Sequence, residues 1–140
     1  MRLTSLFAPL LILAVSFMAP LTARADDAST DIQSVIQSQL DAFQKNDLET
    51  AFGFASPTIQ QKFGSPETFG RMVRNGYPMV WRPASREWRQ LVQTDAGPVQ
   101  VVLFEDSSGR LHEAGYLMQQ IDGIWRINGV HVRQAPGVGT

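Results

Sequence analysis

The chain contains no cysteine. That excludes disulfides, thiolate metal sites, a cysteine nucleophile and lipidation through sulfur. Histidine is almost as scarce, with only His112 and His131, and no H-x-x-x-H or comparable metal-ligand spacing occurs. An excess of either charge is missing too. The 12 Lys+Arg and 13 Asp+Glu leave a formal net charge of -1, which argues against nucleic acid as a partner. The glycines fall at turn and cap positions and form no phosphate-binding loop, so no cofactor is expected. What remains is a 140-residue chain that is 44% hydrophobic and 18% charged, the balance of one ordinary globular domain.

The first residues differ in kind from the rest. Arg2 precedes a nearly unbroken apolar run from Leu6 to Ala19, and Ala23-Arg24-Ala25 places small residues ahead of Asp26-Asp27. A charged start, a short apolar stretch and an A-x-A site are the marks of a secretory signal peptide, cleaved here between Ala25 and Asp26. The run is shorter than the ~20 residues that span a bilayer, and Pro9 and Pro20 weaken it further as a helix. The expected organisation is a signal peptide over 1–25, a single α+β domain over 26–134 and a flexible tail over 135–140. Cleavage removes Arg2 and Arg24 but none of the 13 acidic residues, leaving a net charge of -3 and no stable membrane anchor. The product is expected to be periplasmic, or secreted if the cell lacks an outer membrane. Without cysteine it must hold together there by packing alone.

Helical spacing comes first. Thr30-Asp31-Ile32-Gln33 reads as a capping box. Ile32, Val35, Ile36, Leu40 and Phe43 then follow at intervals of three and four, one apolar stripe on a helix ending near Lys45. Asp47 is placed to cap a short second helix carrying Leu48, Ala51, Phe52 and Ala55. Ser56-Pro57 and Ser65-Pro66 each set a capping hydroxyl before a proline, opening helical turns over 57–63 and 66–75 that stop at Gly64 and Gly76. Ile59, Phe63, Phe69, Met72 and Val73 supply their buried sides.

Alternation replaces that spacing after Trp81. Residues 87–94, 99–105, 111–121 and 125–133 read as four strands. Asp95-Ala96-Gly97-Pro98 and Asp106-Ser107-Ser108-Gly109 close two hairpins, and Asp122-Gly123 is the strongest two-residue turn signal in the chain. Val99 to Phe104 is apolar on both faces, as a central strand is. A bulge at Gly129 would return Val130 and Val132 to the face of Trp125 and Ile127. Helices grouped before antiparallel strands predict an α+β fold, a four-stranded curved meander with the N-terminal helices packed on it as a cone-like roll. A pocket is expected at the mouth of the cone.

Three stretches carry a resemblance: Gln39-Leu40-Asp41-Ala42-Phe43 with Ala51-Phe52-Gly53-Phe54-Ala55-Ser56-Pro57; Phe63-Gly64 with Phe69, Met72-Val73 and Tyr77; and Asp122-Gly123-Ile124-Trp125-Arg126-Ile127-Asn128-Gly129-Val130. Together, over roughly residues 30–133, they resemble a small family of exported bacterial proteins, domain-of-unknown-function family 4864. More distantly, the leading helix, the meander and the final D-G-x-W-R-I strand are similar to the nuclear transport factor 2-like (ketosteroid isomerase-like, cystatin-like) superfamily. That likeness implies a cone-shaped roll and no particular function, because its members include isomerases, dehydratases, binding modules and dimerisation domains.

Candidate chemistry is thin. Isomerase-type catalysis in a cone needs a carboxylate base and a donor such as tyrosine. Tyr116 shares a strand face with His112, Ala114 and Met118, whereas Glu113 leaves the opposite face and His131 alternates away from Val130 and Val132. Tyr116, His112 and Asp41 are the catalytic candidates, without a demonstrable convergence among them. A second feature is the run of Arg71, Arg74, Arg82, Arg86 and Arg89 interleaved with Tyr77, Trp81 and Trp88. Arg74, Tyr77, Trp81, Arg82, Arg86, Trp88 and Tyr116 are therefore the expected ligand- or partner-binding residues, since arginine forks grip anions and interfaces favour Arg, Trp and Tyr. The alternative is arginine stems lying over the tryptophans on a solvated face. Phe52, Phe54, Phe63, Phe69 and Met72 read as ordinary core. The leading function is a non-enzymatic exported module for a small apolar or amphipathic molecule or a protein partner. The alternatives are an isomerase- or dehydratase-like enzyme and a homodimer formed through the sheet.

Overall fold

The computed structural model describes residues 21–136, with side chains from residue 27 onward. The charged start and apolar run of the expected signal peptide, and residues 137–140 of the expected tail, lie outside them. Among the described residues, five helices precede a four-stranded antiparallel meander in the order β1-β2-β3-β4, an α+β architecture with an open sheet. No described helix is long and apolar enough to cross a membrane.

Helix α1 spans Leu21–Gln44. It starts well before the expected capping box, so Thr30 lies inside the helix rather than at its cap. Neither proline nor glycine occurs between Leu21 and Phe52, and Ala23, Ala25 and Ala28 favour continuation. The Gln33 amide instead donates to Ser29 Oγ one turn back, at 3.4 Å. The apolar stripe is where its spacing puts it: Ile32, Ile36, Leu40 and Phe43 are buried against the sheet.

The next helices follow their caps. Asp47 accepts from Thr50 N to open α2 (Leu48–Gly53), Ser56 accepts from Ile59 N to open α3 (Pro57–Phe63), and Ser65 accepts from Thr68 N to open α4 (Pro66–Gly76). Gly64, at φ 79°, ends α3 in the left-handed region that glycine occupies without penalty. One further turn, α5 (Pro78–Trp81), has no counterpart in the sequence reading. It is started by Pro78 at the first helical position without a capping side chain, so its signal was half of the Ser-Pro device used twice before it.

Strand β3 (Leu111–Ile121) has the expected bounds, whereas β1 (Ser85–Thr94), β2 (Gly97–Glu105) and β4 (Ile124–Gln134) are each two residues longer than expected. The extra start of β1 is paired: Ser85 lies opposite Glu105, and its hydroxyl donates to Glu105 Oε2 at 3.1 Å. Asp122 and Gly123 both have positive φ, 51° and 78°, as a type I′ hairpin requires. In β4, Gly129 pairs with Leu117 but Ile127 with Met118, so Asn128 is the extra residue of the expected bulge. Ile127, Val130 and Val132 consequently share the inner face opposite Met118, Tyr116 and Ala114. A second bulge, between Trp88 and Leu91 of β1, is held by the buried Gln100, whose amide donates to the Arg89 and Val101 carbonyls, each at 2.9 Å.

The core is thus a helix stripe on a sheet face, with Phe104 and Tyr116 in ring contact at 6.4 Å. Each such side chain contributes about 1.5–3 kcal/mol by burial. Tyr116 is an exception within that core. It is fully buried, and its hydroxyl has no hydrogen-bond partner, a cost ordinarily of about 1–3 kcal/mol. Tyr116→Phe is therefore expected to leave the unfolding free energy unchanged or to raise it by about 1 kcal/mol, as measured by denaturant titration. A loss of more than that would mean the hydroxyl is bonded.

Candidate ligand-binding site

The segment joining α2 to α3 is stitched to β4. Ile127 N donates to Phe54 O at 2.9 Å and Ser56 N donates to Ile127 O at 2.8 Å, a short parallel bridge centred on Ala55. Ser56 Oγ donates to Asn128 Oδ1 at 2.7 Å, Gln60 Nε2 donates to the Phe52 and Ala55 carbonyls, and Arg126 donates to Gly53 O. Beside this seam, α1, α3, α4, α5 and β4 surround a cavity of about 280 Å³. Its wall is mostly apolar, with Phe43, Ile59, Phe63, Phe69, Met72 and Ile127 among the lining residues. The rings lie close, Phe43 to Phe69 at 5.9 Å and Phe63 to Phe69 at 5.7 Å. Four polar side chains join them: Gln39, Lys62, Tyr77 and Asn128.

Gln39 is 3% exposed, and its Nε2 donates to Ala51 O at 3.1 Å. It lies three residues after Ile36 and four before Phe43, so it belongs to the buried stripe of α1 by position. A polar residue at an apolar interval is the signal for it in the sequence. Asn128 enters because the bulge displaces it from the ladder, which the expected irregularity at Gly129 foreshadowed without naming the side chain.

The expected site residues are dispersed. Tyr77 alone among them lines the cavity. Arg74 and Trp81 border a separate surface groove of about 330 Å³, with Glu67, Arg71 and Asn75. Arg82 closes the end of α1: its guanidinium donates to Phe43 O at 2.6 Å and Asn46 Oδ1 at 3.2 Å, and stacks on Trp81 at 4.8 Å. Arg86 lies over the Trp88 ring at 4.2 Å, and Arg89 pairs with Glu87 at 3.5 Å. The arginine run is therefore divided among helix closure, ring stacking and a surface pair. The residues met in a row in the sequence belong to α4, α5, the turn after it and β1, and only Arg71, Arg74 and Trp81 border one groove.

The catalytic candidates are not brought together either. Tyr116 is sealed in the core, where burial holds its phenol well above the ordinary value, and it lines none of the cavities described here. Asp41 is exposed and accepts from Gln37 Nε2 at 2.8 Å. His112 Nε2 lies 2.8 Å from Asp106 Oδ2 in the β2–β3 turn, and Glu113 pairs with Arg133 across the outer face at 3.1 Å. His131 is exposed opposite Gly115, away from the core. The outer face carries an open groove of about 530 Å³ over Val99, Val101, Gly115 and Leu117, rimmed by Glu113 and Arg133. Among the described residues, no three His, Asp or Glu side chains come together as a metal site requires.

The fold and this site define a small α+β domain with an apolar, sparsely polar pocket between its helices and last strand. A family model for a domain of unknown function (DUF4864) matches residues 25–140, and the chain belongs to that family. No curated protein matches the chain.

Asp106 is the hub of its turn. It accepts from Ser108 Oγ at 2.6 Å, from Ser108 N and Arg110 N, and faces His112. The Ser108 hydroxyl, then His112, hold its carboxyl below the ordinary 3.8. A folded-state pKa below the unfolded one means a contribution that is complete above about pH 5 and is lost as pH falls through the carboxylate range. Asp106→Asn is expected to melt earlier than the parent at neutral pH, with the gap narrowing below about pH 4 in thermal melts. A gap that stays constant across that range would contradict the assignment.

Proposed function

We propose that the protein is an exported, non-enzymatic binding module for a small apolar or amphipathic molecule held in the cavity between its helices and β4. One observation carries the reading: a cavity of about 280 Å³ lined by aromatic and aliphatic side chains with a nearly buried amide, Gln39, in its wall. Concave, mainly apolar pockets with a few convergent polar groups are the usual form of small-molecule sites, and this volume lies near their lower end. The distant likeness to the nuclear transport factor 2-like superfamily agrees with a pocket enclosed between helices and a meander.

The neutral fluorophore N-phenylnaphthylamine, titrated into the purified full chain, is expected to bind saturably and raise the melting temperature by roughly 5 °C or more at high saturation. Ile59→Trp, which fills the cavity from a half-buried wall position, is expected to weaken that binding at least about tenfold. Absence of both saturation and thermal shift in the parent would overturn the binding reading.

Export is supported by Arg2, the Leu6 to Ala19 run and Ala23-Arg24-Ala25. The chain recovered outside the cytoplasm is expected to begin at Asp26 by intact mass and N-terminal sequencing. Recovery only of an uncleaved chain inside the cell would refute it.

A further inference from the structure

The polar groups of the cavity are few, and they differ in kind from its inner end to its rim. At the inner end, Gln39 uses its amide nitrogen on Ala51 O. A backbone carbonyl only accepts, so this contact fixes which end of the side-chain amide points where. Gln39 Oε1 is left as an acceptor to which no described residue donates, in a wall of phenylalanine and valine. It is not one of the fully enclosed unpartnered atoms, so a group entering the cavity can reach it, and an entering group that lacks a donor removes its access to water without replacing the bond. At the exposed end stands Lys62, the one charged side chain of the lining. Its ammonium lies 5.6 Å from the Phe63 ring and forms no ion pair among the described residues, and no carboxylate lines the cavity. The rest of the wall sets four rings, Phe43, Phe63, Phe69 and Tyr77, among aliphatic side chains such as Ile59, Met72 and Ile127. The Tyr77 hydroxyl likewise has no hydrogen-bond partner among the described residues.

Resting on the binding function proposed above, we infer that the ligand is a small aromatic carboxylate with a hydroxyl or N–H donor at the end of the ring away from its carboxylate. The donor bonds Gln39 Oε1, the ring packs edge or face against the phenylalanines, and the carboxylate meets Lys62 at the mouth. The Tyr77 hydroxyl adds a second polar contact. A simple fatty acid satisfies Lys62 but leaves Gln39 without a donor, and a neutral hydrocarbon satisfies neither. Ring faces and edges carry opposite partial charges, so an aromatic body gains from these walls beyond its buried area.

Three matched probes separate the features: hydroxyphenylpropanoate, phenylpropanoate and hydroxyphenylpropanamide, titrated calorimetrically into the full chain. The first is expected to bind tightest. Losing its hydroxyl should weaken binding about tenfold. Losing its charge should weaken binding about threefold, a factor that shrinks with added salt because Lys62 is exposed. Gln39→Leu should abolish the advantage of the hydroxyl while retaining phenylpropanoate binding. Lys62→Gln, at an exposed position that leaves the core untouched, should abolish the advantage of the carboxylate. Equal affinity for all three probes overturns this ligand class, as does a hydroxyl advantage that survives Gln39→Leu. If N-phenylnaphthylamine binds and none of the three does, the ligand class falls while the binding function stands. If no probe binds, both fall.

Discussion

Every feature of the site depends on one packing contact, the apolar stripe of α1 laid on the inner face of the meander. Ile32, Ile36, Leu40 and Phe43 meet Val102, Phe104, Tyr116, Met118 and Ile127 there, and together they make up most of the buried core. Truncating one such residue ordinarily costs about 2–5 kcal/mol, a large share of the stability of a domain this size. Without cysteine there is no covalent staple to take over. The same contact carries Gln39 and Phe43 into the wall of the cavity, so that wall and the stability of the fold share one helix face.

The cavity lies beside a second constraint, at the far edge of the sheet. The β4 bulge turns Asn128 out of the ladder, where it meets Ser56, while the bridge at Ala55 ties the α2–α3 segment to the strand. The start of α3 is therefore anchored to the strand at Ser56, with the cavity beside it. A close-packed interior tolerates few voids, so a lined hollow of this size beside the packed core is a departure from ordinary packing. The arginines do the opposite work. Arg82 closes α1, Arg126 holds the α2 end and Arg86 covers Trp88, each spending its charge on structure.

Local signals made much of the fold legible. Ser-Pro pairs, Asp47, Gly64 and Asp122-Gly123 act through atoms a few residues away, and each does so in the structure. Periodicity placed the helix stripe and all four strands because one face of each must leave water. The start of α1 was misplaced because a capping box is only a local option, and an alanine-rich stretch upstream let the helix run on. The site was far less legible. The arginine-tryptophan run looked like one surface because its residues are close in the chain. Elements that fold back in different directions separated it, and of the expected binding residues only Tyr77 reached the cavity.

Composition, spacing and turn chemistry by themselves determined an α+β chain with its helices first, its antiparallel strands last and a buried stripe on the leading helix. Those properties follow from short-range bonding and from the need to hide one face of each element. Tertiary structure alone decided which polar groups look into the hollow. Gln39, Lys62, Tyr77 and Asn128 come from four separate segments, and no interaction along the chain relates them. Only the packing of α1, α3 and α4 with β4 makes them neighbours.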